Sequence, residues 1–208
     1  MSLPLQQRLN ELGTQHVLHQ MQRALQQSPV VIEERLDAAV LVALTVEESP
    51  AVILTQRSSL LAAHAGEVAF PGGKCDALDE SIQATALRES FEEIGLPGSE
   101  VLVMGSTGMF VSRAGLKVQP VIGFIPPEVA MLPNPDEIAS IFRVPLSLFL
   151  DEPPRHDYQV AFMGQSYVMP CYRYQGYVIW GLTAYMLVDL LNRTLQADID
   201  FPMPRLRR

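Results

Sequence analysis

The sequence predicts an α/β sandwich, in which helices cover a mixed central sheet. Short apolar runs bounded by turn residues have the length and composition of strands. Two longer segments, 80–94 and 183–192, repeat apolar residues at the helical interval. Because the strands are flanked by helices along the chain, we expect the helices to pack on the faces of one sheet.

The predicted strands begin at residue 37. Residues 37–45 and 51–55 are apolar runs joined by a polar turn, so they predict a hairpin. Further apolar runs predict strands at 68–70, 101–105, 118–125, 166–174 and 177–180, the last two forming a hairpin around Gln175–Gly176. Short helices are predicted at 136–142 and directly after 144–146.

Three parts of the chain are predicted. Residues 1–35 carry apolar residues at loosely helical spacing among glutamines, which predicts an amphipathic arm that either covers the domain or pairs with another subunit. Residues 36–195 form the predicted domain, and residues 196–208 form a C-terminal tail. The arm and the apolar C-terminal segment together predict a homodimer.

Composition and charge restrict the class of protein. The 208 residues are 48% hydrophobic and 18% charged, which suits a compact protein with a substantial core. The net charge of −8 argues against nonspecific nucleic-acid binding, which depends on neutralising phosphates, but permits a small anionic substrate. Neither a signal peptide nor a bilayer-spanning apolar run is evident, so we expect no membrane partner and a cytoplasmic protein. In that compartment Cys75 and Cys171 are expected to be unpaired.

One helix, predicted from Glu80 to Ile94, carries a cluster of carboxylates. Asp79 is its expected N-cap, and Gly95 lies where a left-handed C-terminal residue is favoured. At roughly 100° per residue, the expected buried face consists of Ala84, Leu87, Phe91 and Ile94. The expected opposite face consists of Glu89, Glu92 and Glu93. Like charges at this spacing destabilise a helix, so the cluster is either a solvated acidic face or a metal site.

The glycine loop that precedes this helix favours the metal site. Phe70–Gly73 ends a short apolar strand, and its glycines allow the backbone to pass close to a ligand. Hard divalent cations prefer oxygen ligands from carboxylates, phosphates, water and backbone carbonyls. A glycine loop that faces a glutamate cluster supplies such oxygens, and Arg88 can hold one of the carboxylates in place.

Residues 66–96 resemble the Nudix box. Residues 88–96 match its REUxEExGU pattern, where U is apolar, with Ser90 in place of the usual aliphatic residue. The spacing from Gly73 to Glu80 is one residue longer than the common pattern, which we interpret as a longer loop before the helix. The resemblance implies a Nudix-type α/β/α sandwich and metal-dependent cleavage of a nucleoside diphosphate linked to another moiety.

Other segments resemble the coenzyme A pyrophosphatase branch of this family. Residues 54–58 (LTQRS) and 64–73 (HAGEVAFPGG) are similar to its LLTxRS and HxGxVxFPGG signatures. With shorter similarities at 134–138, 144–146 and 179–184, the resemblance covers about residues 37–192. Ala62 departs from the branch, which usually has a basic residue there, and this weakens the case for recognition of the 3′-phosphate of coenzyme A.

The resemblance implies roles for individual residues. Mg²⁺ or Mn²⁺ is expected to be held by Glu89, Glu92 and Glu93. Catalytic roles are expected for Glu89, for Glu92 as ligand or base, and for Glu137, which either positions water or caps a helix. Substrate contacts are expected from Arg57, His64, Lys74, Gly72, Gly73 and Arg88. Arg57, His64 and Lys74 have ordinary alternatives as a surface ion pair, a packing residue and a solvated cation. Trp180 either stacks on a base or belongs to the core.

Three functions stay open from the sequence. The first is hydrolysis of coenzyme A or its derivatives to 4′-phosphopantetheine and adenosine 3′,5′-bisphosphate. The second is hydrolysis of another nucleoside diphosphate derivative, such as ADP-ribose or a nucleotide sugar. The third is a non-catalytic nucleotide-binding module, which we expect to lack the box carboxylates, whereas this chain keeps them.

Overall fold

The computed structural model describes residues 4–30, 35–60, 64–162, 165–201 and 205–206. Within them the helices are α1 (Leu5–Glu11), α2 (Val17–Gln27), α3 (Ile82–Ile94), α4 (Leu146–Asp151) and α5 (Gly181–Leu195), with a 3₁₀ helix at Gly98–Glu100. The strands are β1 (Ala38–Thr45), β2 (Ala51–Arg57), β3 (Val68–Ala69), β4 (Gly72–Lys74), β5 (Leu102–Ser106), β6 (Phe110–Val111), β7 (Lys117–Ile125), β8 (Ile138–Pro145), β9 (Arg155–Phe162), β10 (Gln165–Tyr174), β11 (Tyr177–Trp180) and β12 (Arg205–Leu206). Over this part of the chain, no helix is both long and apolar enough to cross a membrane.

The central sheet is mixed, as predicted. Its main order is β3-β2-β1-β7-β5, with β8 paired to β2 and β6 paired to β7. Strand β1 runs parallel to β7 from Ala38 opposite Val118 to Thr45 opposite Ile125, and antiparallel to β2 across the predicted hairpin turn. The short strand β4 pairs with β1 at residues 38–40. One edge of β1 is therefore shared, by β2 near Thr45 and by β4 near Ala38.

Helices cover both faces of this sheet, which confirms the α/β/α sandwich. Strand β1 is buried on both sides, so its alternate residues enter two different cores. On one face, Leu41 and Val121 pack with Ile94 of α3. On the other face, α1, α2 and α5 cover the sheet with Leu9, Leu18, Met21, Leu25, Leu187 and Leu191.

The two N-terminal helices lie within the range predicted as an arm. Their apolar side chains are buried within the chain itself, and Arg8 of α1 forms an ion pair with Glu128. The amphipathic pattern of these two helices is thus explained by packing on the domain, the first of the two predicted alternatives, and the homodimer stays a prediction. The boundaries of the arm, domain and tail stay predictions.

A second sheet is formed by β9, β10, β11 and β12. The predicted hairpin around Gln175–Gly176 is present, with Tyr174 opposite Tyr177. Strand β9 has no counterpart in the prediction. The sheet is joined to the central one by Phe142 and Tyr177, whose rings stack with centroids 3.8 Å apart. Directly after β11, the hydroxyl of Thr183 in α5 donates to the carbonyl of Val68 in β3 at 3.0 Å.

The helix predicted at 136–142 is wrong. Residues 138–145 form β8, which pairs with β2 over most of its length. Branched and aromatic residues such as Ile141, Phe142 and Val144 favour a strand, and the open edge of β2 provides its partner. The helix predicted after 144–146 is confirmed as α4, and the predicted C-terminal helix is confirmed as α5.

Helix α3 differs from the prediction at its start and in its buried face. Its N-cap is Ser81, whose hydroxyl accepts from the amide of Ala84 at 3.1 Å, and not Asp79. Gly95 ends the helix in the left-handed conformation, with φ 65°, as predicted. The buried residues are Thr85, Ala86, Ser90, Glu93 and Ile94, whereas Phe91 is 59% exposed. The face that meets the sheet is therefore the face that carries a carboxylate.

Candidate active site

The glycine loop lies directly against helix α3. Gly72 and Gly73 belong to β4, and the amide of Leu41 in β1 donates to the carbonyl of Pro71 at 2.8 Å. A Cβ atom on Gly72 would overlap the backbone of Ala39 and Val40, and one on Gly73 would overlap the carboxylate of Glu89. Gly72 requires glycine because its neighbours are backbone atoms of β1, whereas a side chain at Gly73 would displace the carboxylate of Glu89.

Glu93 is the carboxylate buried most deeply at this contact. The residue is 3% exposed, and its Oε2 accepts from the amide of Gly72 at 3.0 Å. Its Oε1 lies 3.4 Å from Nη1 of Arg57. Burial raises the pKa of Glu93 to about 7; the Gly72 amide and Arg57 oppose this shift, and the charges of Glu137 and Glu89 add to it.

Glu89 lies one helical turn before Glu93 and also faces the glycine loop. Its Oε1 accepts from Nη1 of Arg88 at 2.8 Å. Burial raises the pKa of Glu89 above its usual value, Arg88 opposes this, and the charges of Glu92 and Glu137 add to it. The charges of four acidic residues therefore meet around the loop: Glu89, Glu92, Glu93 and Glu137.

Arg88 fastens the loop before the helix to the helix itself. Its Nε and Nη2 bind the carboxylate of Asp79, each at 2.9 Å, and Nη2 also donates to the carbonyl of Lys74 at 3.0 Å. Its Nη1 donates to Glu89 and, at 3.3 Å, to Glu92. A guanidinium has five N–H donors, and these five bonds use all of them. The geometry therefore gives Arg88 a positioning role and does not favour the substrate contact expected from the sequence.

Glu92 and Glu137 are exposed at the edge of the cluster. The side chain of Glu92 is 56% exposed and turned toward Arg88. Glu137 lies in the turn before β8, where its carbonyl accepts from the amide of Ser58 at 2.7 Å. Its charge acts on both Glu89 and Glu93, so its carboxylate lies on the same side of α3. It caps no helix, because the residues that follow it form a strand.

The cations expected to bind substrate differ in position. Arg57, at the end of β2, forms an ion pair with Glu93. His64 has the left-handed φ of 57° and lies on the exposed loop after β2, where Nδ1 is 2.7 Å from Oε2 of Glu67. Lys74 has an exposed side chain. Trp180 is half-buried with its ring 4.9 Å from that of Tyr158, and Ala62 lies outside the described residues.

Comparison with known proteins matches this arrangement to one family. The family described as NUDIX domain matches residues 35–162. The chain belongs to the Nudix family. It is 44% identical over 156 residues to a protein named uncharacterized Nudix hydrolase NudL from Photorhabdus laumondii subsp. laumondii. The aligned residues cover 75% of this chain and 83% of the relative. A protein of the same name from Citrobacter koseri is 40% identical over 156 residues, covering 75% and 81%.

A solved Nudix structure shares the fold. The MutT/nudix family protein from Enterococcus faecalis is similar with a TM-score of 0.50 and 16% identity, over 94% of this chain and 76% of that protein. Nudix hydrolases act on small nucleoside diphosphate derivatives and generally use divalent metal ions. The coenzyme A branch is a narrower assignment than these similarities support.

The Nudix carboxylates suit a hard cation by their chemistry, although they do not form a closed cage. Within the described ranges, no group of three or more His, Cys, Asp or Glu side chains is gathered to hold an ion. The physical reason is that Arg88 turns Glu92 outward, while Glu93 is bound to Gly72 and Arg57. The donors nevertheless fit Mg²⁺ or Mn²⁺, since they are carboxylate oxygens beside a glycine backbone, with one acid buried among like charges.

Asp79 is the functional residue that the sequence interpretation misassigned. Besides Arg88, its carboxylate accepts from the hydroxyl of Thr85 and from the amide of Asp76, each at 2.8 Å. Arg88 holds the pKa of Asp79 well below its usual range. The common Nudix spacing could have identified it: since Glu80 is one residue too far from Gly73, the acid at the usual distance is Asp79, and Glu80 is exposed.

Proposed function

We propose that this Nudix protein hydrolyses the diphosphate bond of coenzyme A or its derivatives, in a reaction that requires Mg²⁺ or Mn²⁺. The products are 4′-phosphopantetheine and adenosine 3′,5′-bisphosphate. One observation carries the proposal: the segments 54–58 and 64–73, which resemble the coenzyme A branch, converge on Glu93. Arg57 of the first segment and Gly72 of the second both bind that carboxylate.

The chain contributes carboxylates in fixed positions. Glu89, Glu92 and Glu93 would hold the metal, which would supply charge neutralisation for the diphosphate and activation of water. The Gly72 amide fixes one oxygen of Glu93, and Arg88 fixes Glu89. Glu137, exposed beside them, positions the attacking water. Hydrolysis of a diphosphate depends mainly on such positioning and charge neutralisation, so no covalent intermediate is required.

Substrate contacts are assigned to the glycine loop and its neighbouring cations. Gly72 and Gly73 let the diphosphate approach the backbone, while Arg57, His64 and Lys74 are assigned as contacts to its phosphates. A second candidate function is hydrolysis of a derivative that lacks the 3′-phosphate, such as ADP-ribose. Ala62 favours this candidate, because the coenzyme A branch usually places a cation at that position.

A substrate panel tests the proposal. The full chain is assayed with Mg²⁺ and with Mn²⁺ on coenzyme A, dephospho-coenzyme A, ADP-ribose and NADH, and the products are identified by mass. We expect coenzyme A to be cleaved to the two products named above. Faster cleavage of ADP-ribose, with coenzyme A untouched, supports the second candidate. Binding without cleavage of any of the four supports a non-catalytic module.

Exchange of Ala62 separates the first two candidates further. Ala62→Arg restores a cation where the branch usually has one, so we expect it to raise the preference for coenzyme A over dephospho-coenzyme A. The measurement is the ratio of kcat/KM for the two substrates. An unchanged ratio indicates that another residue contacts the 3′-phosphate or that this position does not face the ligand.

A further inference from the structure

Arg57 and Arg88 both reach the site carboxylates, but they are bound very differently. Arg88 satisfies all five of its donors at 2.8–3.3 Å. Within the described part of the chain, the side chain of Arg57 makes one hydrogen bond, from Nη1 to Glu93 at 3.4 Å. Its Nε is buried and has no acceptor there. An unsatisfied buried donor is unfavourable, so Arg57 is incompletely bound in this state.

The backbone nevertheless holds Arg57 in a defined position. Its amide donates to the carbonyl of Glu67 at 3.0 Å, and its carbonyl accepts from the amide of Gly66 at 3.2 Å. The pairing of β2 with β8 shifts between Gln56 and Arg57, so Arg57 lies opposite Ile138 and Ala139 is the additional residue. Such bulges re-aim side chains and are common beside active sites. The weak side-chain bonding therefore occurs on a well-anchored residue.

Arg57 lies at the oxygen of Glu93 that a metal ion would use. Oε2 is bound to the Gly72 amide, which leaves Oε1 as the oxygen available to a cation, and Arg57 faces Oε1. A divalent ion at Oε1 and the guanidinium would repel each other at this separation. The side chain of Arg57 is 26% exposed, so it has access to the solvent side of the site.

We propose that Arg57 is an exchangeable counter-cation. Without metal it neutralises Glu93, and when a divalent ion binds Glu93 it is displaced to the diphosphate of the substrate. The Nε and Nη donors that have no acceptor among the described residues would then donate to phosphate oxygens, which a guanidinium binds in a forked geometry. This inference rests on the proposed function, since it requires a metal at Glu93. It makes Arg57 a competitor of the metal before substrate arrives and a ligand of the substrate afterwards.

The exchange predicts that one substitution changes two affinities in opposite directions. Arg57→Gln removes the competing charge and the phosphate ligand together. We expect the Kd for Mn²⁺ in the absence of substrate to fall on the order of tenfold, because the ion no longer displaces a cation. We expect the Kd of inorganic pyrophosphate for the Mn²⁺-loaded protein to rise on the order of tenfold, because a charge-assisted fork is lost. Both are measured by titration calorimetry at about pH 8.5, where exposed carboxylates are ionised.

Two variants serve as controls. Arg143→Gln makes the same change of charge at an exposed residue of β8, opposite Ile53 of β2, and is expected to alter neither affinity. Arg57→Lys keeps the charge without the fork, so Mn²⁺ binding should stay within about twofold while pyrophosphate binding weakens. Circular dichroism checks folding, and Arg57→Leu replaces the Gln variant if that one does not fold.

The outcomes distinguish the exchange from the proposed metal site. Glu93→Gln, titrated in parallel, is expected to lose Mn²⁺ binding by more than about tenfold. If it does, and Arg57→Gln binds Mn²⁺ no more tightly than the unmodified chain, the exchange is wrong and the metal site stands. If Glu93→Gln binds Mn²⁺ as before, both the metal site and the exchange are overturned.

Discussion

Glu93→Gln separates the charge of the buried carboxylate from its shape. The amide oxygen of Gln can still accept from the amide of Gly72, so the local backbone contact is kept. The negative charge, which lies 3.4 Å from Arg57 and close to Glu89 and Glu137, is removed. If Glu93 holds the metal, stability and activity must therefore respond in opposite directions.

The magnitude follows from the raised pKa of Glu93. The shift from 4.5 to about 7 means that folding disfavours the ionised form, by about 3 kcal/mol, since each pKa unit corresponds to about 1.4 kcal/mol. Because the folded protein binds the proton more tightly, stability falls as the pH rises from 4.5 to about 7, and the penalty is complete above that range. Gln resembles the neutral form. At a pH above 7, without metal, we expect the variant to be more stable by about 1–3 kcal/mol.

Denaturation and activity are measured on the same samples. Urea unfolding at about pH 8 gives the stability with and without Mg²⁺, and the diphosphate assay gives kcat, which we expect to fall by at least about a hundredfold. Glu100→Gln, an exposed carboxylate in the 3₁₀ helix, is the matched control and should change neither quantity. A Glu93→Gln protein that keeps full activity refutes the catalytic assignment, and one that loses stability without metal refutes the electrostatic reasoning.

Further predictions concern the elements that support the site. Asp79→Asn removes the negative charge and one of the two oxygens that accept from Arg88, so we expect the free energy of unfolding in urea to fall by about 2 kcal/mol. Glu80→Gln is the control that should be unaffected, and equal stability of the two variants would contradict the positioning role of Asp79. Since the pKa of Asp79 is lowered in the fold, its stabilisation is present above pH 3.8 and is lost below it, and the Asn variant should show a smaller loss of stability between neutral pH and about pH 3. Gly73→Ala places a methyl group against the carboxylate of Glu89 and displaces it, so we expect kcat to fall by about a hundredfold. Gly98→Ala, whose Cβ would lie 3.7 Å from Leu87, is the control and should be active. A fully active Gly73→Ala protein would contradict the close approach of the loop and Glu89. Light scattering tests the homodimer, and the mass of a monomer at micromolar concentration would contradict it.

Much of the fold could be predicted because it follows from local patterns. The runs at 37–45 and 118–125 are mostly apolar, which is typical of central strands buried on both faces, and they form the parallel pair β1 and β7. The hairpin at Gln175–Gly176 and the left-handed end of α3 at Gly95 follow from turn chemistry. Strand β8 could not be predicted in this way, since it is defined by β2, a partner far along the chain. Strand β9 pairs with its neighbour β10, but its polar sequence lacks the apolar run by which the other strands were recognised.

The acidic residues of the site could be identified from their spacing, but their environment could not. Glycine positions 72 and 73 suggested a close approach of backbone and helix, yet only the tertiary arrangement selects Glu93 for burial and leaves Glu92 in solvent. The positioning roles of Arg88 and Asp79 depend on the path of the loop between β4 and α3. That path is irregular, and a periodic pattern carries no information about it.

The buried face of α3 shows why amphipathic reasoning failed at this element. Polarity assigned Phe91 to the core and Glu93 to solvent, and the structure has the reverse. Ala86 and Ser90 are small, and the hydroxyl of Ser90 donates to the carbonyl of Ala86 at 2.6 Å, so this side of the helix can approach the sheet closely. A large apolar residue there would hold the helix away and separate Glu89 and Glu93 from the glycine loop. An acid buried among like charges lowers the stability of the fold, and such local conflicts are expected where a site requires them. The departure of α3 from an ordinary amphipathic pattern is thus itself an argument that Glu93 has a function other than stabilising the fold.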